Sequence, residues 1–262
     1  MATPRVLILR APGTNCDRET AYAFEQQGGS SDILHINRLL ESPSLTDDYQ
    51  ILCLPGGFSY GDDIAAGRIA AGQMRHHLFN ALESFRDQGK LILGICNGFQ
   101  ILLKSGILLP DDSQTGPPAT LAWNDSGRFE DRWVNLEAAS DHCVFLNGIK
   151  NIYLPIAHAE GKFMARDTDT LTSLESTGQL ALRYVEPQRN GRQLSDDLGF
   201  PFNPNGSQAN VAGACDASGR VFGLMPHPER YVDPTHHPRW TREDTQEVNG
   251  SKVFQNAIDY FR

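Results

Sequence analysis

The sequence predicts an α/β fold: a mostly parallel β-sheet with helices on both faces and an antiparallel extension. Two patterns point to it. In the first half, short apolar runs that end in Gly or Pro turns alternate with stretches of helical character. Such alternation implies crossover connections and a parallel sheet covered on both sides. In the second half, strand-like segments follow one another without long helices, as antiparallel neighbours do. No repeat and no composition break divides the chain, so residues 1–262 are expected to form one domain.

The elements follow in order. Arg5-Val-Leu-Ile-Leu9 is a continuous apolar run stopped at Ala11-Pro-Gly13, a buried strand ending in a turn. Residues 17–27 have helical character and stop at Gly28-Gly29. Residues 32–36 form a second strand, and residues 50–54 a third that ends at Pro55-Gly56-Gly57. One long helix is expected over residues 69–88, closed by Gly89. Residues 90–95 form a fourth strand with a helix directly after it over 97–104. Later strands are expected at 127–137, 151–156, 180–186 and 221–225, and a last helix at 253–261. The stretches 111–118 and 187–208, rich in Pro, Gly, Asn, Gln and Asp, read as long surface loops.

Composition excludes several classes of protein. The net charge of −9 argues against broad grip on nucleic-acid phosphates. No apolar run approaches the roughly 20 residues that cross a bilayer, and the run at 6–9 is too short for a signal peptide. Five cysteines, Cys16, Cys53, Cys96, Cys143 and Cys215, lack both zinc-ribbon spacing and a disulfide framework. A reduced, cytoplasmic protein without nucleic-acid or membrane partners is expected. Gly89-Lys90 and Gly161-Lys162 lack the context of a phosphate-binding loop. The pairs His76-His77 and His236-His237 lack further ligands at metal spacing and read as solvated surface, while Asp62-Asp63 reads as a turn or helix cap, so no metal is expected.

Three segments carry chemistry. The first is Gly94-Ile-Cys-Asn-Gly98, a Gly-x-Cys-x-Gly elbow between a buried strand and a helix. Such a turn strains the backbone of Cys96 and sets its sulfur at a helix N-terminus, where N–H groups favour thiolate. The Asn97 N–H is then placed to meet a developing oxyanion. Gln100, one helical turn on, shares the face of Cys96 and is placed to touch a substrate. The second is Met225-Pro-His-Pro-Glu-Arg230, where two prolines suggest extended chain. In that conformation His227 and Glu229 project to one side with Cα atoms roughly 6.6 Å apart. A carboxylate on one ring nitrogen leaves the other to take a thiol proton. The third is Pro55-Gly-Gly-Phe-Ser-Tyr-Gly-Asp62, whose glycines admit a ligand close to the backbone and make Gly57 a second oxyanion donor. The other four cysteines lack the flanking glycines and read as small buried apolar residues.

With these segments in this order, the chain resembles the class I (triad) glutamine amidotransferases, which implies a flavodoxin-like sheet. Ala11-Pro-Gly-Thr-Asn-Cys-Asp17, residues 55–62, residues 94–100, Asn203-Pro-Asn-Gly-Ser207 and residues 223–230 resemble, more narrowly, the small glutaminase subunits of phosphoribosylformylglycinamidine synthase. Arg128-Phe129, Arg132-Trp-Val134 and Ala157-His-Ala-Glu-Gly161 fit the same family. The resemblance implies Cys96 as nucleophile, His227 as general base, Glu229 as orienting acid, Gly57 and Asn97 as oxyanion donors, and Gln100 as a glutamine-binding residue. It implies L-glutamine as substrate and no cofactor in this chain. ATP and Mg belong to a large synthetase subunit (PurL-like) that receives the ammonia, with a small third subunit (PurS-like) as further partner. Ala159 stands where the family commonly has glycine, Asp63 replaces a frequent aromatic, and residues 111–118 and 232–250 look enlarged. The segment 232–250, with His236, His237, Arg239 and Trp240, is a candidate contact surface. Two other readings stand beside this one: a protease- or chaperone-like cysteine hydrolase on a similar sheet, and a non-catalytic regulatory subunit.

Overall fold

The computed structural model describes residues 3–112, 114–187, 198–242 and 250–262. Its framework is one mixed sheet of nine strands, five of which run parallel. The parallel part comprises β1 (Arg5–Arg10), β2 (Ser30–His35), β3 (Ile51–Leu54) and β4 (Leu91–Ile95), together with a late strand, Val221–Leu224. The helices between them are α1 (Asp17–Gln26), α2 (Ile36–Glu41), α3 (Arg68–Gln73) and α4 (Phe79–Asp87), with α5 (Asn97–Ser105) following β4. β3 and β4 are buried at every residue, as continuous apolar runs in a sheet covered on both faces must be.

The second half supplies β5 (Ala119–Trp123), β6 (Glu130–Ala138), β7 (Asn151–His158), β8 (Glu160–Ala165), α6 (Thr168–Ser176), β9 (Leu182–Tyr184), β10 (Val211–Cys215), β11 (Val221–Leu224) and α7 (Gly250–Asp259). The spatial order of the main sheet is β2-β1-β3-β4-β11-β10-β9-β6-β7. From β10 onward the pairing is antiparallel, as expected of the second half. β5 and β8 form a separate two-stranded sheet.

Several elements differ from expectation. The helix over 69–88 is one helical run interrupted by a π turn at Met74–Leu78. The wider turn leaves Arg75, His76 and His77 in solvent between the buried Met74 and Leu78. Helices α2 and α6 and strands β5, β8 and β10 go beyond the elements the sequence predicts. β8 buries Gly161, Phe163 and Ala165 and turns the residues between them outward, a short alternation that sequence spacing left hidden. The expected loops 111–118, 187–208 and 232–250 include positions 113, 188–197 and 243–249, which lie outside the described residues. Within 232–250, His237 is no surface residue. It is 3% exposed and packs against Trp133, Tyr153 and Tyr231, with ring centroids 4.9, 5.8 and 5.9 Å away. Trp240 is exposed.

Candidate active site

Three neighbouring parallel strands, β3, β4 and β11, end at one edge of the sheet, where ligands bind in open α/β folds. The chain leaving β3 carries Gly57, that leaving β4 carries Cys96, and that leaving β11 carries His227. Register fixes their proximity: Ile95 pairs with Leu224, and the Cys96 N–H donates to the Leu224 carbonyl at 2.7 Å. The His227 N–H donates to the Pro155 carbonyl of β7 at 2.8 Å, which ties the imidazole to the antiparallel half.

The elbow at Cys96 has the expected strain, with φ 50° and ψ −103°. A non-glycine residue rarely holds this conformation, and such strain collects at functional sites. The surrounding packing enforces it. A Cβ on Gly98 would lie 1.9 Å from the Leu54 carbonyl oxygen, so only glycine lets α5 start this close to β3. Asn97 opens α5, and the first N–H groups of a helix have no acceptor within it. Gly57, at φ +147°, bridges to Thr14, and a Cβ there would lie 2.8 Å from Gly13 and Thr14 backbone atoms.

His227 and Glu229 are joined, though not by extended chain. Pro228–Arg230 forms a 3-10 turn, and the turn brings Glu229 Oε1 to 2.6 Å from His227 Nδ1. Proline suits the first position of such a turn, where no N–H is required. Both side chains are almost fully buried. Burial opposes a charged imidazole, but the Glu229 carboxylate and then Cys96 outweigh it and hold the His227 pKa well above its ordinary value. With Nδ1 committed to Glu229, Nε2 is left for proton exchange, and it has no hydrogen-bond partner among the described residues. The Cys96 thiol rests 3.7 Å from the Ala157 carbonyl oxygen.

A cavity of about 190 Å³ opens over the sulfur, lined by Gly57, Cys96 and Gln100 and by Asp62, His158 and Glu160. Drug-sized ligands fill roughly 300–1,000 Å³, so this space suits a small metabolite. Gln100 reaches the cavity with its amide anchored at both ends. Its oxygen accepts from Asn97 Nδ2 at 2.9 Å and its Nε2 donates to the Glu160 carbonyl at 2.5 Å. One N–H and one lone pair of the amide stay available. Phe58 and Trp123, both exposed, form the mouth, and Phe58 stacks on exposed Phe129 at 6.4 Å.

Sequence reasoning missed several residues here. His158 is buried, and its surroundings fix its tautomer. Asn124 Nδ2 donates to the Arg128 and His158 carbonyls, so Asn124 Oδ1 is the acceptor for the Gly161 N–H and for His158 Nδ1. His158 therefore carries its proton on Nδ1 and presents a lone pair at Nε2, which has no partner among the described residues. Burial, and then the nearby His227, push its pKa down to about 3. The segment Asn203–Ser207 braces this wall: Asn205 Nδ2 donates to the Gly161 carbonyl at 2.8 Å and to Tyr184 Oη at 3.1 Å.

Cys16 is buried, as its sequence context suggests, and its sulfur lies beside the His227–Glu229 pair. The three ligand-type atoms are within 4.8 Å of one another. Arg230 Nη2 reaches the Cys16 sulfur at 3.1 Å and Arg230 Nε reaches Glu19 at 3.2 Å. That guanidinium places a positive charge beside the only three-donor set found among the described residues, so the set does not suit a metal ion. Two thiols thus flank one imidazole, and only Cys96 faces the cavity.

The chain matches the model of the CobB/CobQ-like glutamine amidotransferase domain over residues 3–261. It is 45% identical to phosphoribosylformylglycinamidine synthase subunit PurQ of Dehalococcoides mccartyi, across 100% of this chain and 99% of that protein. It is 38% identical to the subunit of the same name from Methanococcus maripaludis, across 98% and 97% of the two chains. Among solved structures, a chain of PurLQS from Thermotoga maritima superposes with a TM-score of 0.73 at 33% identity, covering all of both chains. A glutamine amidotransferase from Thermotoga maritima, at 17% identity and a TM-score of 0.55, shares the fold.

Proposed function

We propose that this chain, which belongs to the CobB/CobQ-like glutamine amidotransferase domain family, is the glutaminase subunit of phosphoribosylformylglycinamidine synthase. It hydrolyses L-glutamine to glutamate and ammonia. The ammonia passes to a separate ATP-dependent synthetase subunit, which makes formylglycinamidine ribonucleotide in purine biosynthesis. The partners are a PurL-like synthetase and a small PurS-like subunit, as the PurLQS match supports. One observation carries the reading: adjacent, hydrogen-bonded strands deliver Cys96 and His227 to the same edge, with Glu229 on the far nitrogen of the imidazole.

The chemistry follows from the placement. His227 Nε2 takes the thiol proton, and the Cys96 sulfur attacks the side-chain amide carbon. Negative charge builds on the amide oxygen, where the Gly57 and Asn97 N–H groups meet it. Glu229 keeps the imidazole oriented and stabilises its charged form. His227 returns the proton to the departing nitrogen, ammonia leaves, and a γ-glutamyl thioester remains on Cys96. Water, deprotonated by His227, then attacks the thioester carbonyl, releasing glutamate and restoring the thiol. Gln100 holds substrate through the free N–H and lone pair of its amide. This chain needs no cofactor of its own, ATP and Mg being bound by the synthetase, and residues 1–262 work as one unit. Its place of work is the cytoplasm; no described helix is long and apolar enough to cross a membrane.

The intact set of Cys96, His227 and Glu229 is what a non-catalytic regulatory subunit would lack. Reconstitution tests the reading. Mixed with a formylglycinamide ribonucleotide synthetase subunit, its nucleotides and the small subunit, the chain should support glutamine-dependent amidine formation, with glutamine turnover faster than for the chain alone. A synthetase that works with ammonium salts but never with glutamine plus this chain would refute it.

A further inference from the structure

The cavity over Cys96 has two unlike ends. At the sulfur, the donors of Gly57 and Asn97 await an acceptor. Elsewhere the wall carries acceptors, the Asp62 and Glu160 carboxylates and the Nε2 lone pair of His158, which is 3% exposed and has no partner among the described residues, beside the one free N–H of Gln100. The carboxylates differ in their compensation. Glu160 faces Lys104 Nζ at 3.8 Å and accepts the Ala66 N–H through both oxygens. Asp62 has no ion pair among the described residues. Its Oδ1 accepts the Gly67 N–H at 3.0 Å and Asn97 Nδ2 at 3.2 Å, and both bonds fall on that one oxygen. Burial raises the Asp62 pKa, and these two bonds only partly offset it. A half-buried anion without a counterion is costly unless a ligand supplies one. The backbone pays to hold it there, since Asp62 itself sits at φ 52° and Tyr60 at φ 55°.

We infer that the Asp62 carboxylate receives the α-ammonium group of the substrate and makes the site selective for an amino acid over a simple primary amide. The inference rests on the glutaminase reading and deepens it. An ammonium has three donors and no acceptor, the complement of this wall, whereas the side-chain amide carbonyl is the complement of the other end. The Asn97 side chain couples the two ends: it bonds Asp62 and Gln100, and its Oδ1 accepts the Ser59 N–H at 3.1 Å. Lys104 takes up the Glu160 charge, so the ammonium is left to Asp62.

The test compares glutamine with its deamino analogue, 5-amino-5-oxopentanoate, in ammonia release by the assembled synthetase complex. Wild type should prefer glutamine. Asp62→Asn keeps an oxygen for Gly67 and removes only the charge. It should raise KM for glutamine roughly 10- to 100-fold, the range of a charged hydrogen bond, while kcat/KM for the analogue stays within about twofold. The preference should therefore collapse. Glu160→Gln should leave it intact. An equal loss on both compounds in Asp62→Asn would overturn the inference, as would a collapse produced by Glu160→Gln instead. Failure of wild type to release ammonia from either compound would strike the glutaminase reading itself, an outcome distinct from both.

Discussion

Gly56→Ala is the sharpest probe of how the imidazole is held. Gly56 precedes Gly57 in the turn after β3, and its φ lies outside the left-handed region, so alanine meets no backbone penalty there. A methyl group added at Gly56 would lie 2.7 Å from His227 Cε1 and 3.2 Å from the Cys16 sulfur. Ordinary carbon contacts begin near 3.5 Å, so the ring must retreat by roughly 0.8 Å. The Cys16 sulfur, held by Arg230 at 3.1 Å, is crowded by the same methyl, and the 2.6 Å bond to Glu229 must stretch or turn with the ring. A misplacement of about 1 Å at a reacting group costs on the order of 10²-fold in rate. Overpacking of this kind costs roughly 1–3 kcal/mol of stability. Glutaminase turnover of the complex should fall about 10²-fold with KM little changed, while thermal unfolding stays cooperative and shifts modestly. Gly72→Ala is the control. A Cβ there meets nothing within 4 Å among the described residues, and helix α3 should gain up to about 1 kcal/mol with no change in turnover. Full activity in folded Gly56→Ala would show that His227 does not work from the position described.

Two further outcomes concern charge. Glu229→Gln removes the carboxylate that outweighs burial at His227, so the His227 pKa must fall. The alkaline limb of the glutaminase pH–rate profile, where His227 loses the proton it gives to the departing nitrogen, should move to lower pH, and kcat should drop roughly 10³- to 10⁴-fold; an unmoved limb would show that Glu229 does not set the pKa. His158 acts on stability from the other side. Its folded pKa of about 3 lies below its unfolded value near 6.5, so between these values the unfolded chain binds a proton that the folded chain refuses. Stability should fall with decreasing pH across that window, by at most about 1.4 kcal/mol per pH unit from this group. His158→Gln should flatten the slope of unfolding free energy measured between about pH 6 and pH 4, and an unchanged slope would refute the assignment. The His227 contribution has the opposite sign, complete below its unfolded pKa and lost as pH rises through its raised folded value.

The parts of this molecule that could be read from sequence are those where one residue type has few alternatives. Gly94, Gly98 and Cys96 mark a strand-turn-helix junction because only glycine fits at 98, and the apolar runs of β1, β3 and β4 admit no other burial. His227 and Glu229 were paired by a wrong geometry: extended spacing suggested it, while a 3-10 turn produces it. Long-range contacts left no local trace. Nothing near Cys16 in sequence announces that Arg230, 214 positions away, grips its sulfur. His158 and Asn124, 34 positions apart, meet only through folding. His237 read as surface because its aromatic neighbours Trp133 and Tyr153 lie on β6 and β7. The strain at Asp62 leaves no such trace, since, unlike Cys96 between its flanking glycines, Asp62 sits in no sequence pattern that demands a left-handed residue.

The central claim is that Cys96, and not the second thiol beside the same imidazole, is the nucleophile. Peptide mapping by mass spectrometry, after the assembled complex has reacted with a glutamine-mimicking diazo-ketone, tests it directly. A single adduct is expected, on Cys96, that glutamine protects against and that His227→Ala largely abolishes. An adduct on Cys16, or an unmodified Cys96 in a complex whose glutaminase activity the reagent has destroyed, would contradict it.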